Sequence, residues 1–174
     1  MPTLQLLFCT NPRNPLSWMI RVGSWSRWSH VAIVSGQSVI EAVAIDGVSQ
    51  RPIADRQRQD LRWQLVDFAC PNPDGVIEAA RSQIGKPYDY TGVLGVGLHR
   101  DWQQDDAWFC SELVAWAFQE AGCALFRPGA TRRITPQDLW MLSPMVDSYC
   151  HTSASQTAQG MPDGTFQPKE GAEW

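Results

Sequence analysis

Several absences narrow the field before any motif is considered. No apolar run in the 174 residues approaches the ~20 needed to cross a bilayer as a helix, so no transmembrane segment is expected. There is no basic excess either: 14 Lys and Arg stand against 18 Asp and Glu, a net charge of -4 that lacks the electrostatic footprint of a nucleic-acid binder. No basic stretch precedes the short apolar run between Met1 and Thr10, and no small-residue cleavage site follows it. It therefore does not read as a signal peptide, and the expected location is cytoplasmic unless export uses another route. The cysteines Cys9, Cys70, Cys110, Cys123 and Cys150 are odd in number and include no C-x-x-C pair. That argues against a disulfide framework and against a zinc site, leaves at least one thiol free, and gives no reason to expect a metal or cofactor. Bases are scarce, with three histidines in all.

What is present is a globular composition, 44% hydrophobic and 18% charged, in a chain long enough to bury a core without staples. Leu4 to Cys9 is a short apolar run stopped by Asn11-Pro12-Arg13-Asn14-Pro15, the pattern of a buried strand followed by a turn, and Ser17 to Val22 suits one or two helical turns. Val31 to Val34 and Val39 to Ala44, divided by Gly36 and followed by Asp46-Gly47, read as an antiparallel hairpin, and Trp63 to Phe68 as a third strand. Asp74 is placed to cap a helix starting near Gly75, and Thr135-Pro136 to open another. Beyond Cys150 the chain is polar and poor in apolar residues. These features predict one α+β domain over residues 1–149 and a disordered tail over 150–174. Nine tryptophans are many for this length; core positions are the default, a substrate groove the alternative.

One cysteine stands apart. Cys110 opens the helical pattern Cys110-Ser111-Glu112-Leu113-Val114, in which Cys110, Leu113, Val114, Ala117, Phe118 and Ala121 share a face. The free N–H groups and positive dipole end of a helix start favour thiolate over thiol. The same position also suits an inert buried cysteine, since free cysteine packs as a small hydrophobe.

A thiol nucleophile needs a base, and the base needs an orienting group. His151 lies at the edge of the expected tail and His99 in an irregular stretch, whereas His30 stands at the start of an apolar strand, held yet reachable. It equally fits a structural, hydrogen-bonded histidine. Glu41 lies within Val39-Ile40-Glu41-Ala42-Val43, where a carboxylate is costly unless partnered. Cross-strand pairing with His30 supplies a partner.

Four segments in order, Ser29-His30-Val31-Ala32-Ile33, Val39-Ile40-Glu41-Ala42, Gly85-Lys86-Pro87-Tyr88-Asp89-Tyr90 and Phe109-Cys110-Ser111-Glu112-Leu113-Val114, resemble the permuted papain-like amidases of the YaeF/YiiX group, relatives of the NlpC/P60 hydrolases. The resemblance spans roughly residues 16–140 and implies a circularly permuted papain-like fold, an antiparallel sheet packed against the helix carrying the cysteine. His30 precedes Cys110, the reverse of the unpermuted order. It further implies Cys110 as nucleophile, His30 as base and then acid, Glu41 as orienter, and a thioester acyl-enzyme. Tyr88 is a candidate for a substrate or oxyanion contact, or packs the preceding helix end. Trp108-Phe109 departs from the pattern, since relatives often carry tyrosine before the cysteine.

The implied function is hydrolysis of an amide bond in a peptide or cell-wall peptide. Two alternatives remain open at this stage: an acyltransferase or lipid-ester hydrolase of the lecithin:retinol acyltransferase-like type, and a catalytically idle binding module. The expected partner is a small peptide, amide or acyl substrate; the oligomeric state is not encoded in any recognisable pattern.

Overall fold

In the computed structural model the described residues are 1–88, 107–127 and 134–144, together with the backbone of 151–152. They hold a six-stranded antiparallel sheet and five helices. The strands are β1 (Thr3–Thr10), β2 (His30–Ser35), β3 (Ser38–Val43), β4 (Gly47–Pro52), β5 (Arg62–Ala69) and β6 (His151–Thr152), in the order β4-β3-β2-β1-β5-β6. The helices are α1 (Pro15–Gly23), α2 (Ile53–Gln59), α3 (Pro73–Ser82), α4 (Cys110–Glu120) and α5 (Pro136–Leu142).

Strand alternation divides the apolar side chains between two faces. Leu6, Phe8, Val31, Ile33, Ile40, Ala42, Val66 and Phe68 join the main core, which α3, α4 and α5 cover with Val76, Ala80, Leu113, Val114, Ala117, Phe118 and Leu139. The opposite parity, Leu7, Ala32 and Val39, forms a smaller cluster against Ile53, Trp63 and Leu65. Central strands buried on both sides explain why Leu4 to Cys9 and Val31 to Val34 are continuous apolar runs. Glu41 takes the parity of Val39, on the smaller cluster's side of the sheet.

Local signals account for the helix starts. Asn14 caps α1 by accepting from Leu16 and Ser17, and Thr135 and Asp138 form a reciprocal box at α5. The α3 cap is Asn72, whose side chain accepts from Gly75, with Pro73 at the first helical position. Asp74, the expected cap, lies inside the first turn instead; the proline sets the helix start two residues earlier. Three elements have no counterpart in the sequence expectations: β6, which falls in the expected tail, and β4 and α2, which follow the hairpin, β4 turning it into a three-strand meander. The Gly-rich segment 91–97, His99, Trp102, Cys150 and the tail beyond 152 lie outside the described residues. Within the expected tail, the 151–152 backbone pairs with Arg62 and Trp63 of β5.

Candidate active site

Cys110 is the first residue of α4, buried where the helix start meets the sheet. Phe109 has no side-chain acceptor, and the capping that exists runs the other way: the Glu112 carboxylate accepts from the Phe109 N–H at 3.4 Å. Ser111 donates to the Ile134 carbonyl at 2.5 Å, tying the start of α4 to the approach of α5. Ser111 and Glu112 thus fix the helix end that carries the thiol.

His30 reaches this point from the first residue of β2, which pairs with Cys9 of β1. Its Nε2 lies 2.5 Å from Glu41 Oε2 on β3, and Cys110 is close enough to the same ring to raise its pKa. The three residues singled out in the sequence therefore meet in one array. Burial is the largest influence on His30 and lowers its pKa, as does Arg56; Cys110 and Glu41 act in the opposite sense, and the net effect lifts it from 6.5 to about 9.

Glu41 is completely buried and carries more than one partner. Arg51 Nε of β4 is 2.8 Å from Oε1, and Arg56 Nε of α2 is 3.3 Å from Oε2. Both are ion pairs without in-line hydrogen-bond geometry. Each arginine is balanced in turn, Arg51 by Asp46 at 3.1 Å and Arg56 by Asp60 at 3.0 Å. Burial is the largest influence on Glu41 and raises its pKa, but His30, Arg56 and Arg51 outweigh it and hold the carboxyl below its ordinary 4.5. Burial likewise disfavours the Arg56 cation, while Cys9, Glu41 and Asp60 favour it more strongly. Arg51, Arg56 and Asp60 escaped the sequence reading. The signal was indirect: a carboxylate in an apolar strand requires cations, but spacing does not say which of the 14 Lys and Arg supply them.

Tyr88 is buried, packs edge-on to Phe109 at 6.2 Å between ring centroids, and lines the same cleft as His30. It is delivered by backbone. Val48 N–H donates to Lys86 O at 2.8 Å, Gly85 N–H to Val48 O at 2.9 Å, and Trp108 N–H to Pro87 O at 3.0 Å. This lacing stitches residues 85–88 between β4 and the segment leading into Cys110. It also demands glycine at 47, where φ is +66° and a Cβ would fall 2.2 Å from the Lys86 carbonyl oxygen.

The cleft beside His30 has a volume of about 350 Å³. Asn11, Asn14, Ser17, Ser29, Gln59 and Asp46 give it polar walls, with Leu16, Ile20 and Ala44 as apolar ones. Among the described residues no three His, Cys, Asp or Glu side chains converge to hold a metal ion. Nor is any described helix long and apolar enough to cross a membrane.

A central antiparallel sheet, a cysteine at the head of a helix packed against it and a histidine from a strand are the parts of a papain-like enzyme. A family model described as permuted papain-like amidase enzyme, YaeF/YiiX, C92 family, matches residues 5–159, and the chain belongs to that family. Among solved structures, that of metalloprotein yiiX from Escherichia coli O157:H7 is similar in fold, with a TM-score of 0.54 and 23% sequence identity. The match covers 68% of this chain and 65% of that one. No curated protein matches the chain.

Proposed function

We propose that the protein is a cysteine hydrolase that cleaves an amide bond, in a peptide or cell-wall peptide, through Cys110, His30 and Glu41. The observation carrying this reading is the His30 ring, bonded by Glu41 through Nε2 at 2.5 Å, with Cys110 near enough to raise its pKa. A base held on one side by a carboxylate and applied on the other to a thiol is the geometry that thiol acyl transfer requires.

His30 takes the proton of the Cys110 thiol, and the thiolate so formed is favoured by the positive end of α4. The thiolate attacks the amide carbon, and its oxygen takes the electron pair within reach of the Cys110 N–H, which as a first-turn donor has no helical partner. As the tetrahedral intermediate collapses, His30 passes its proton to the leaving nitrogen, the C–N bond breaks and a thioester remains on Cys110. His30, now neutral, takes a proton from water as that water attacks the thioester; collapse expels the thiolate and releases the acid. Throughout, Glu41 holds the ring orientation and stabilises its charged form. Tyr88, which shares the cleft with His30, is assigned to contacting the substrate beside the reacting carbonyl.

The polar cleft walls favour an amide substrate over an acyl chain, which would be poorly solvated against Asn11, Asn14 and Ser17. The test is turnover of a panel of peptide amides by wild type and Cys110→Ala, with intact mass measured at short times. Accumulation of an acyl adduct on Cys110 alone supports the reading; turnover that survives Cys110→Ala contradicts it.

A further inference from the structure

The two faces of α1 are unlike. Leu16, Ser17 and Ile20 wall the cleft beside His30. On the outer side Trp18 is 58% exposed, Met19 37% and Val22 54%, and in the turn that follows Trp25 is 93% exposed. Single apolar side chains on a surface need no explanation; a contiguous set does. Trp18, Arg21, Val22 and Trp25 line one open groove of about 370 Å³, so these residues form a single patch. Trp25 also has φ +49°, the one positive φ among described non-glycine residues. An L-residue adopts that conformation at a steric cost, and here the result is an indole held out into water. The same turn closes α1, with Ser26 N–H donating to Arg21 O at 2.9 Å and Trp25 N–H to Val22 O at 3.4 Å.

The charged residues of the segment from Arg13 to Arg27 have one sign. No Asp or Glu precedes Glu41, while Arg13, Arg21 and Arg27 lie in this segment of a chain whose net charge is -4. Arg13 and Arg27 are exposed, and Arg27 stacks over the Trp28 ring at 5.4 Å. Two exposed indoles sharing a groove with Arg21, on a segment whose charged residues are all arginines, match the region where lipid headgroups meet acyl chains. The ring settles at headgroup depth, and the cations meet lipid phosphate.

We propose that α1 and the turn to Trp25 dock the protein on an anionic lipid surface, with Trp18, Val22 and Trp25 entering the headgroup region and Arg13, Arg21 and Arg27 facing its phosphates. Because the other side of α1 forms a wall of the cleft, docking holds the cleft beside the lipid surface. The proposal is independent of the assignment of Cys110 as nucleophile.

The test is co-sedimentation of the intact chain with vesicles of phosphatidylcholine alone and of phosphatidylcholine mixed with phosphatidylglycerol, at low and high salt. The expected result is binding to the mixed vesicles, little to the neutral ones, and weakening as salt rises. Trp18→Ser with Trp25→Ser lowers the affinity about tenfold or more, through loss of interfacial apolar area. Both rings are exposed, so the melting temperature of that variant stays near wild type. Arg13→Glu with Arg27→Glu, which leaves the tryptophans in place, weakens binding to the mixed vesicles specifically, and Cys110→Ala binds as wild type does. Absence of binding to the mixed vesicles, or equal binding by the double tryptophan variant, overturns the proposal. So does a concentration-dependent dimer that the tryptophan substitutions abolish and vesicles do not compete with; that outcome assigns the face to a second copy of the chain.

Discussion

Arg51 Nε lies 2.8 Å from Glu41 Oε1, the carboxylate oxygen that His30 does not use. Glu41 therefore cannot rotate toward a new partner without abandoning a half-buried cation. Arg56 adds a contact on Oε2, and the orienting carboxylate is fixed from two sides before it touches the histidine.

Replacing Glu41 with glutamine should separate orientation from charge. The amide fills the same space but leaves Arg51 and Arg56 without their shared counter-ion, which predicts a stability loss of about 3 kcal/mol or more in urea unfolding. Activity toward a cleavable amide should fall by roughly a hundredfold or more, since the charged form of His30 loses its stabilising partner. The fall should lie in kcat more than in KM, because Glu41 does not line the cleft.

His30 links stability to pH. Its folded value of about 9 exceeds its ordinary 6.5, so the proton it binds stabilises the fold fully below pH 6.5 and progressively less as pH rises through about 9. Glu41 has the opposite sign: held below its ordinary 4.5, it contributes above that value and loses the contribution as pH falls through its folded pKa. Urea unfolding across pH should show both limbs. In Cys110→Ala the alkaline limb should move to lower pH, because Cys110 is one of the groups raising His30.

Arg56 acts on the same limb from the other side. Its charge lowers the His30 pKa, so Arg56→Met should shift the alkaline limb of kcat/KM to higher pH, alongside a loss of stability because Glu41 and Asp60 each give up one cation. A pH–rate profile and a thermal melt of the same variant read the two effects separately.

Ser111 and Gly47 distinguish scaffold from chemistry. Ser111→Ala removes the bond to Ile134 O and should cost about 1 kcal/mol while leaving the chemical step close to wild type. Gly47→Ala places a methyl against Lys86 O at a residue with φ +66°, and should cost about 1–3 kcal/mol. Because residues 85–88 hang on that contact, its activity loss should exceed that of Ser111→Ala at matched stability, measured well below each melting temperature.

The sequence exposes this site unevenly, and the reason is physical. Cys110 at a helix start, His30 at a strand start and Glu41 in an apolar strand each violate an expectation of local patterning, and such violations are visible in one dimension. Alternating and helical periodicity likewise located β1, β2, β3, β5, α1 and the two capped helices. Arg51 and Arg56 break no local rule: arginine in a polar strand such as β4 or in the polar α2 is ordinary, and only the fold turns them inward onto Glu41. The same holds for the Asn72 cap, where Asn, Pro and Asp compete within three residues. The tryptophans divide in a way composition could not reveal, with Trp28 in the core and Trp25 almost wholly exposed.

The most direct test of the central claim is alkylation of the native protein by iodoacetamide across pH, for wild type and His30→Ala, with each modified cysteine identified by mass. Cys9 and Cys70 are poor nucleophiles, since burial pushes both thiols up, and Cys123 is a half-buried thiol outside the array. Cys110 is expected to react fastest near neutral pH, with loss of His30 reducing its rate sharply while leaving the rate of Cys123 unchanged. Equal rates for Cys110 and Cys123 near neutral pH, or a Cys110 rate indifferent to His30→Ala, would contradict it.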